Sequence, residues 1–120
     1  MSVFLCPKCR TALTQTGNSL KCDKGHCFDI SSEGYVNLVL GKTSGGDSPD
    51  MCRARHDFLN TGYYEPFAKS ISAVIKEFSA VRICDAGCGE GYYSRIIKSE
   101  NESAVCTALD TSLSLFAPML

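Results

Sequence analysis

The rhythm of hydrophobic and polar positions changes twice along this chain. Over the first forty or so residues the apolar positions come in short runs, Leu20-Lys21, Phe28-Asp29-Ile30 and Tyr35 to Leu40, with no helical period of useful length. Short runs bounded by Gly, Asn and Asp predict β-strands. Gly41-Lys42-Thr43-Ser44-Gly45-Gly46-Asp47 is polar and glycine-rich and reads as a linker. Beyond it the period becomes helical. Ser48-Pro49 reads as an N-cap and first helical position and Gly62 as a stop, with Met51, Ala54 and Phe58 as one face. A second helix is predicted from about Pro66 to Phe78, since Phe67, Ile71, Val74, Ile75 and Phe78 recur at helical spacing. Val81 to Ala86 reads as a buried strand, followed by a glycine-rich turn, a helix from about Tyr92 to Lys98, and a strand from Ala104 to Leu109 ending at Asp110. That is one βαβ unit, for which a parallel pair is expected. Thr111 to Leu120 shows neither a cap nor an amphipathic period. The fold class is α/β: a small β module over residues 1–40, a linker over 41–47, and a helical segment with the first βαβ of a larger sheet over 48–120.

Composition narrows the class only modestly. The 120 residues are 44% hydrophobic and 21% charged, with a net charge of -1, which is ordinary for a globular protein. The first sixty residues carry seven Lys/Arg against six Asp/Glu, so charge neither supports nor excludes a nucleic-acid partner. No apolar run approaches the ~20 residues that span a bilayer, so no membrane partner is expected. The opening Met1-Ser2-Val3-Phe4-Leu5-Cys6 lacks the basic and apolar regions of a signal peptide. The expected location is therefore the cytoplasm, where thiols stay reduced. Eight cysteines then read as metal ligands plus spares rather than as a disulfide framework.

Cys6-Pro7-Lys8-Cys9 and Cys22-Asp23-Lys24-Gly25-His26 form two ligand pairs with twelve residues between them. A C-x2-C turn places two thiolates on one ion, and a second pair closes a tetrahedron around Zn²⁺, which accepts sulfur and nitrogen together. Cys27 beside His26 competes for the fourth position, with His26 preferred. Three cysteines and a histidine leave no open coordination position, so the site is structural or presents a surface to RNA. A module this short has too small a core to fold alone, and the metal supplies much of its stability.

Asp85-Ala86-Gly87-Cys88-Gly89-Glu90-Gly91 lies between a strand and a helix. Glycines there permit a tight turn and close approach of a ligand to the backbone, and Asp110, at the end of the next strand, is placed to accept ribose hydroxyls. The pattern is D-x-G-x-G-x-G, and Tyr92 stands where a dinucleotide site would carry its third glycine. Glu90 in the turn suits a cationic ligand, which favours S-adenosylmethionine over a nicotinamide or flavin nucleotide. Cys88 reads as a small buried residue, since no base is evident beside it.

These residues together resemble bacterial 23S ribosomal RNA guanine-N1 methyltransferases of the RlmA type. The resemblance runs from Cys6 to about Asp110. It rests on Cys6-x2-Cys9 and Cys22-x3-His26-x-Phe28-Asp29, on Glu33-Gly34-Tyr35-Val36-Asn37-Leu38, and on Gly46-Asp47, Met51, Ala54-Arg55 and Phe58-Leu59. It continues through Gly62-Tyr63-Tyr64-x-Pro66 and Asp85 to Tyr93. It implies a Rossmann-like methyltransferase domain, S-adenosylmethionine and Zn²⁺ as cofactors, and transfer of a methyl group to N1 of a guanine. The implied partner is a 23S rRNA hairpin met by the zinc module, and the full-length family is implied to form a homodimer. Metal ligands are then Cys6, Cys9, Cys22 and His26, and cofactor contacts Tyr64, Gly89 and Glu90, beside Asp85, Gly87 and Asp110 from the turn reading. Tyr64 also reads as a core aromatic beside Pro66, Tyr35 and Phe28 as core of the zinc module, and Arg55 as a phosphate contact or a solvated helix charge.

The chain departs from the family after Asp110, where a lysine- and alanine-rich amphipathic helix would follow. A truncated or frameshifted product is expected, with the acceptor pocket and proton acceptor beyond residue 120 and the second half only marginally stable. The competing reading is a non-catalytic, zinc-dependent RNA- or protein-binding module whose second half is a remnant. A zinc-ribbon protein of transcription ranks last, as it leaves residues 81–110 without an account.

Overall fold

A computed structural model describes residues 2–42 and 46–112. The middle of the expected linker and most of the stretch after Asp110 lie outside the described residues. The chain divides into two compact units at about residue 44.

The first unit is a three-stranded antiparallel sheet in the order β1-β2-β3, with β1 Thr14–Thr16, β2 Ser19–Lys21 and β3 Cys27–Asp29. Leu20 stands opposite Gln15 on one side and Phe28 on the other. Leu13 and Leu20, 0% and 4% exposed, form the core with Cys6 and Cys22, and Phe4, Phe28, Ile30, Val36 and Leu38 pack around it. Phe28 therefore takes its expected core place. Tyr35 is half-buried and closes a turn instead, its carbonyl accepting from Ser31 N and its amide donating to Ser31 Oγ. The predicted strand from Tyr35 to Leu40 is reduced to one bridge, Ile30 with Val36. Asn37 Oδ1 captures the Val39 amide at 3.0 Å, and a local side-chain acceptor of this kind competes with a ladder. In contrast, β1 carried no hydrophobic signal, because Thr-Gln-Thr is polar and exposed throughout.

The second unit runs α1 (Pro49–Leu59), α2 (Glu65–Glu77), β4 (Arg82–Ala86), α3 (Tyr92–Glu100) and β5 (Val105–Leu109). Ser48 caps α1 as predicted, its Oγ accepting from Met51 N, with Pro49 in the first turn. β4 and β5 pair in parallel, Arg82 opposite Val105 through Ala86 opposite Leu109. The buried contacts between helices are Leu59, Ala68 and Tyr92, with Tyr93 and Ile96 against them.

Three expectations about burial are corrected. The α1 face of Met51, Ala54 and Phe58 is exposed, and the inward stripe is Cys52, His56 and Leu59. Phe58 turns outward to meet Tyr63 and Tyr64, with ring centroids 6.0 and 5.6 Å away. In α2 the helix is where the spacing predicts, yet Phe67, Val74 and Phe78 are exposed while Ala68 and Ser72 are buried. Small residues let α2 approach α3 closely, and the larger ones sit on the flank. The strand read as buried alternates instead, Ile83 and Asp85 half-covered and Arg82, Cys84 and Ala86 exposed. The sheet has two strands, so among the described residues only part of its surface is covered.

Leu13 is the largest fully buried side chain among the described residues. Leu13→Ala is expected to destabilise the first unit by about 2–4 kcal/mol through lost burial and a residual cavity, measured as a lower denaturation midpoint of the zinc-loaded chain. A change within about 0.5 kcal/mol would show that the metal alone holds this unit.

Candidate metal centre and glycine turn

Two short turns build the metal centre. In the first, Arg10 N donates to Cys6 O at 2.7 Å and Cys6 N to Thr11 O at 2.8 Å, with Arg10 at φ 60°. In the second, Gly25 N donates to Cys22 O at 3.0 Å and Cys22 N to His26 O at 3.1 Å. Each turn curls its two ligands toward one point. The donor atoms of Cys6, Cys9, Cys22 and His26 all lie within 4.8 Å of one another, and this is the one such cluster among the described residues. His26 Nδ1 is 3.4 Å from Cys6 Sγ and 3.4 Å from Cys22 Sγ, and Cys9 Sγ is 3.7 Å from Cys22 Sγ. A tetrahedron with Zn–S about 2.3 Å and Zn–N about 2.0 Å has S···S edges of about 3.8 Å and S···N edges of about 3.5 Å. The observed edges match, so the donor set fits Zn²⁺ bound through Nδ1. Cys27, the rival fourth ligand, is exposed on β3 and outside the cluster.

The thiols differ in environment. The Thr11 hydroxyl, 3.1 Å from Cys9 Sγ, lowers the Cys9 thiol to about 6, whereas desolvation raises that of Cys6. Thr11 was not singled out from sequence, where it is only a residue between two ligands.

The glycine turn is held mainly from β5 and the segment after it. Leu109 O accepts from Gly87 N at 2.7 Å and Cys88 N at 2.9 Å, and Asp110 Oδ2 accepts from Gly89 N at 2.8 Å. Asp110 Oδ1 takes Ser112 N at 2.8 Å. Gly89 and Gly91 sit at φ 56° and 79°, with Gly91 as the left-handed residue that opens α3. L side chains are strained there. A Cβ built on Gly87 or Gly89 would meet nothing within 4 Å, so open space lies beside the turn. A cavity of about 240 Å³ is lined by Gly87, Leu109, Asp110 and Thr111.

The structure thus brings Asp85, Gly87, Gly89, Glu90 and Asp110 into one region. Asp85 Oδ2 accepts from the buried Ser94 hydroxyl at 2.5 Å. Glu90 is 5% exposed, with Oε2 bonded to His56 Nδ1 and its backbone carbonyl accepting from Arg95 Nη1 at 3.3 Å. Tyr64 stands at the N-cap of α2, 45% exposed, which rules out the core-aromatic reading. It is near enough to Tyr93, on the first turn of α3, to help raise that phenol behind the larger effect of burial. Arg55 keeps a half-exposed side chain on α1 and pairs with Asp47 at 2.5 Å. His56 and Ser94 escaped the sequence reading. Only the i, i+4 spacing of His56 and Asn60 on α1 could have flagged the first.

Electrostatics around the turn are negative. Burial, then the Asp85 and Asp110 carboxylates, push the Cys88 thiol up to about 11. A ligand bearing cationic groups is favoured in such a field and a pyrophosphate is not.

Comparison with known proteins finds similarity over most of the chain. Residues 4–43 match the family model for the N-terminal zinc ribbon of RlmA. The chain is 31% identical over 112 residues to a 23S rRNA (guanine(748)-N(1))-methyltransferase of Streptomyces fradiae, covering 89% of this chain and 40% of that protein. It is 32% identical to a protein of Micromonospora griseorubida named as a 23S rRNA guanine-N1 methyltransferase, covering 89% of this chain and 43% of that one. A Bacillus subtilis protein with the same designation is 30% identical over 121 residues, with 92% and 43% covered. The chain spans about two fifths of the length of these relatives. No described helix is long and apolar enough to cross a membrane.

Two outcomes are expected. The chain should bind one Zn²⁺, and replacing Cys6, Cys9, Cys22 or His26 singly with Ala should weaken binding by at least about 100-fold, while Cys27→Ser leaves it within about twofold. Competition with a chromophoric chelator reads this directly. Cys88 should alkylate more slowly at pH 7.5 than the exposed Cys27 and Cys84: a thiol raised to about 11 stays protonated until the pH nears that value. Mass spectrometry of partially alkylated protein locates the label.

Proposed function

We propose that this chain carries the zinc ribbon and the cofactor turn of an S-adenosylmethionine-dependent methyltransferase that acts on N1 of a guanine in 23S rRNA. The second unit is read as the opening βαβ of a Rossmann-like methyltransferase sheet. The observation that carries the reading is the juxtaposition of Asp85, Glu90 and Asp110 around a turn whose glycines leave open space. The similarity to the named relatives over 89% or more of this chain supplies the reaction.

S-adenosylmethionine, when bound, supplies an electrophilic methyl group on its sulfonium. The residues of the turn orient the donor. Asp110, which lines the cavity at the end of β5, receives the ribose hydroxyls on lone pairs left free by its two backbone bonds. Asp85 and Glu90 provide the negative field that favours the sulfonium and ammonium groups, and the backbone at Gly87 and Gly89 lies alongside the methionine portion. Tyr64 contacts the cofactor from the α1–α2 corner. Orientation of donor against acceptor is the main source of rate in such a transfer, and the guanine leaves its stack to reach the methyl group. The ribbon, closed around a structural ion, presents its surface to an rRNA hairpin, and the full-length family assembles as a homodimer.

Calorimetric titration with S-adenosylhomocysteine, followed by an assay of tritiated methyl transfer to 23S rRNA, tests the reading. The chain is expected to bind the ligand, and Asp110→Ala should weaken binding by about tenfold or more through the lost charge-assisted hydrogen bonds and the loosened turn. An unsubstituted chain that takes up no ligand would overturn the assignment. Binding without transfer would place only donor binding in these 120 residues.

A further inference from the structure

Glu90 is buried, and its environment is unusual. One carboxylate oxygen, Oε2, meets His56 Nδ1 from α1, while the other, Oε1, is buried with no hydrogen-bond partner among the described residues. The charge is thus kept inward by a single side chain 34 positions away in sequence. His56 is itself held: its Nε2 accepts from Asn60 Nδ2 at 3.0 Å, one helical turn on. That bond leaves Nδ1 as the protonated nitrogen, which donates to the carboxylate. The relay runs Asn60 to His56 to Glu90 and ends in the middle of the glycine turn, next to Gly89 and Gly91 with their positive φ.

We propose that His56 is a positioning residue for the cofactor turn. By anchoring the inward Glu90 carboxylate it sets the backbone at Gly89–Glu90 against which the methionine end of the cofactor lies, and it ties α1 to occupancy of the site. This rests on reading the turn as an S-adenosylmethionine site. The physical argument is one of alternatives. A carboxylate buried with one bond made and one missing is poorly compensated, and without His56 it has no partner at all. It must then swing out to water by a change of rotamer, and the glycines on either side leave the backbone at Gly89–Glu90 free to follow it. The other bonds to this stretch are Asp110 on Gly89 N, Arg95 on Glu90 O and Gly91 N on Cys88 O, and none of them reaches the Glu90 carboxylate.

The test uses the full chain loaded with zinc, in five forms: unsubstituted, His56→Ala, His56→Asn, Glu90→Gln, and His56→Ala combined with Glu90→Gln. The amide nitrogen of Asn occupies the place of Nδ1 and restores the donor. S-adenosylhomocysteine is titrated by calorimetry, and exchange of the Gly89 to Gly91 amides is followed in the ligand-free protein. His56→Ala is expected to weaken binding by about tenfold and to speed amide exchange by a similar factor. His56→Asn recovers most of both, and the Ala substitution costs less than threefold when measured against Glu90→Gln alone. The proposal is overturned if His56→Ala leaves exchange at Gly89 to Gly91 unchanged. It also falls if His56→Asn does no better than Ala, or if the Ala substitution costs as much in the Glu90→Gln background, since α1 would then matter only as a helix. Should the unsubstituted chain bind no S-adenosylhomocysteine, the cofactor reading and the positioning role toward it fall together. Should it bind while His56→Ala matches it in affinity and exchange, the positioning role alone falls.

Discussion

The first unit depends on four donor atoms being held at the edges of one tetrahedron. Its buried set is Cys6, Leu13, Leu20 and Cys22, so half of the innermost core is ligand. Two leucines cannot offset the conformational entropy of some forty residues, each costing about 1–2 kcal/mol of backbone freedom. The metal centre and the hydrophobic core are therefore one object. The strands are three residues each, long enough to bring the two turns together and no longer. The hydroxyl of Thr11 adds to this by favouring the thiolate of Cys9, the form that binds metal.

The second unit solves a different problem, that of keeping a glycine-rich loop in one shape. Glycine makes the loop accessible and also makes it floppy. The structure answers with acceptors placed around it: the Leu109 carbonyl, the Asp110 carboxylate, and a Glu90 side chain folded back onto α1. The carboxylates that give the site its sign are thus also its supports. Asp110 illustrates the economy, since both of its oxygens fix backbone amides while it lines the cavity beside the turn.

Much of this was legible in the sequence, for identifiable reasons. Ligand spacing exposed the metal centre because C-x2-C and C-x3-H are local constraints that need no tertiary context. Ser48-Pro49 marked the start of α1 because capping is equally local. The helices and the parallel pair followed from periodicity. What failed was much of the reading of which helix face is buried, while Phe28 and Cys88 are covered as expected. Met51, Phe58, Phe67, Val74 and Phe78 are apolar at helical spacing yet exposed, because burial is decided by neighbours and small residues such as Ala68 and Ser72 make the closest contact. The strand β1 was silent because its three residues are polar. The His56–Glu90 pair was also silent: it joins residues 34 apart, and no local pattern reports a contact across that distance.

The Leu109 carbonyl carries a consequence of its own. It receives two amides of the turn, Gly87 N and Cys88 N, and a carbonyl belongs to the main chain whatever residue occupies the position. The first half of the loop is therefore templated by the neighbouring strand in a manner indifferent to side-chain identity. Its second half keeps one main-chain bond, Gly91 N to Cys88 O, and otherwise hangs on the particular chemistry of Asp110, Glu90 and His56. Under mutational drift the two halves have unequal tolerance: the entrance of the turn persists as long as β4 and β5 stay in register, while its far end loses its side-chain supports one at a time.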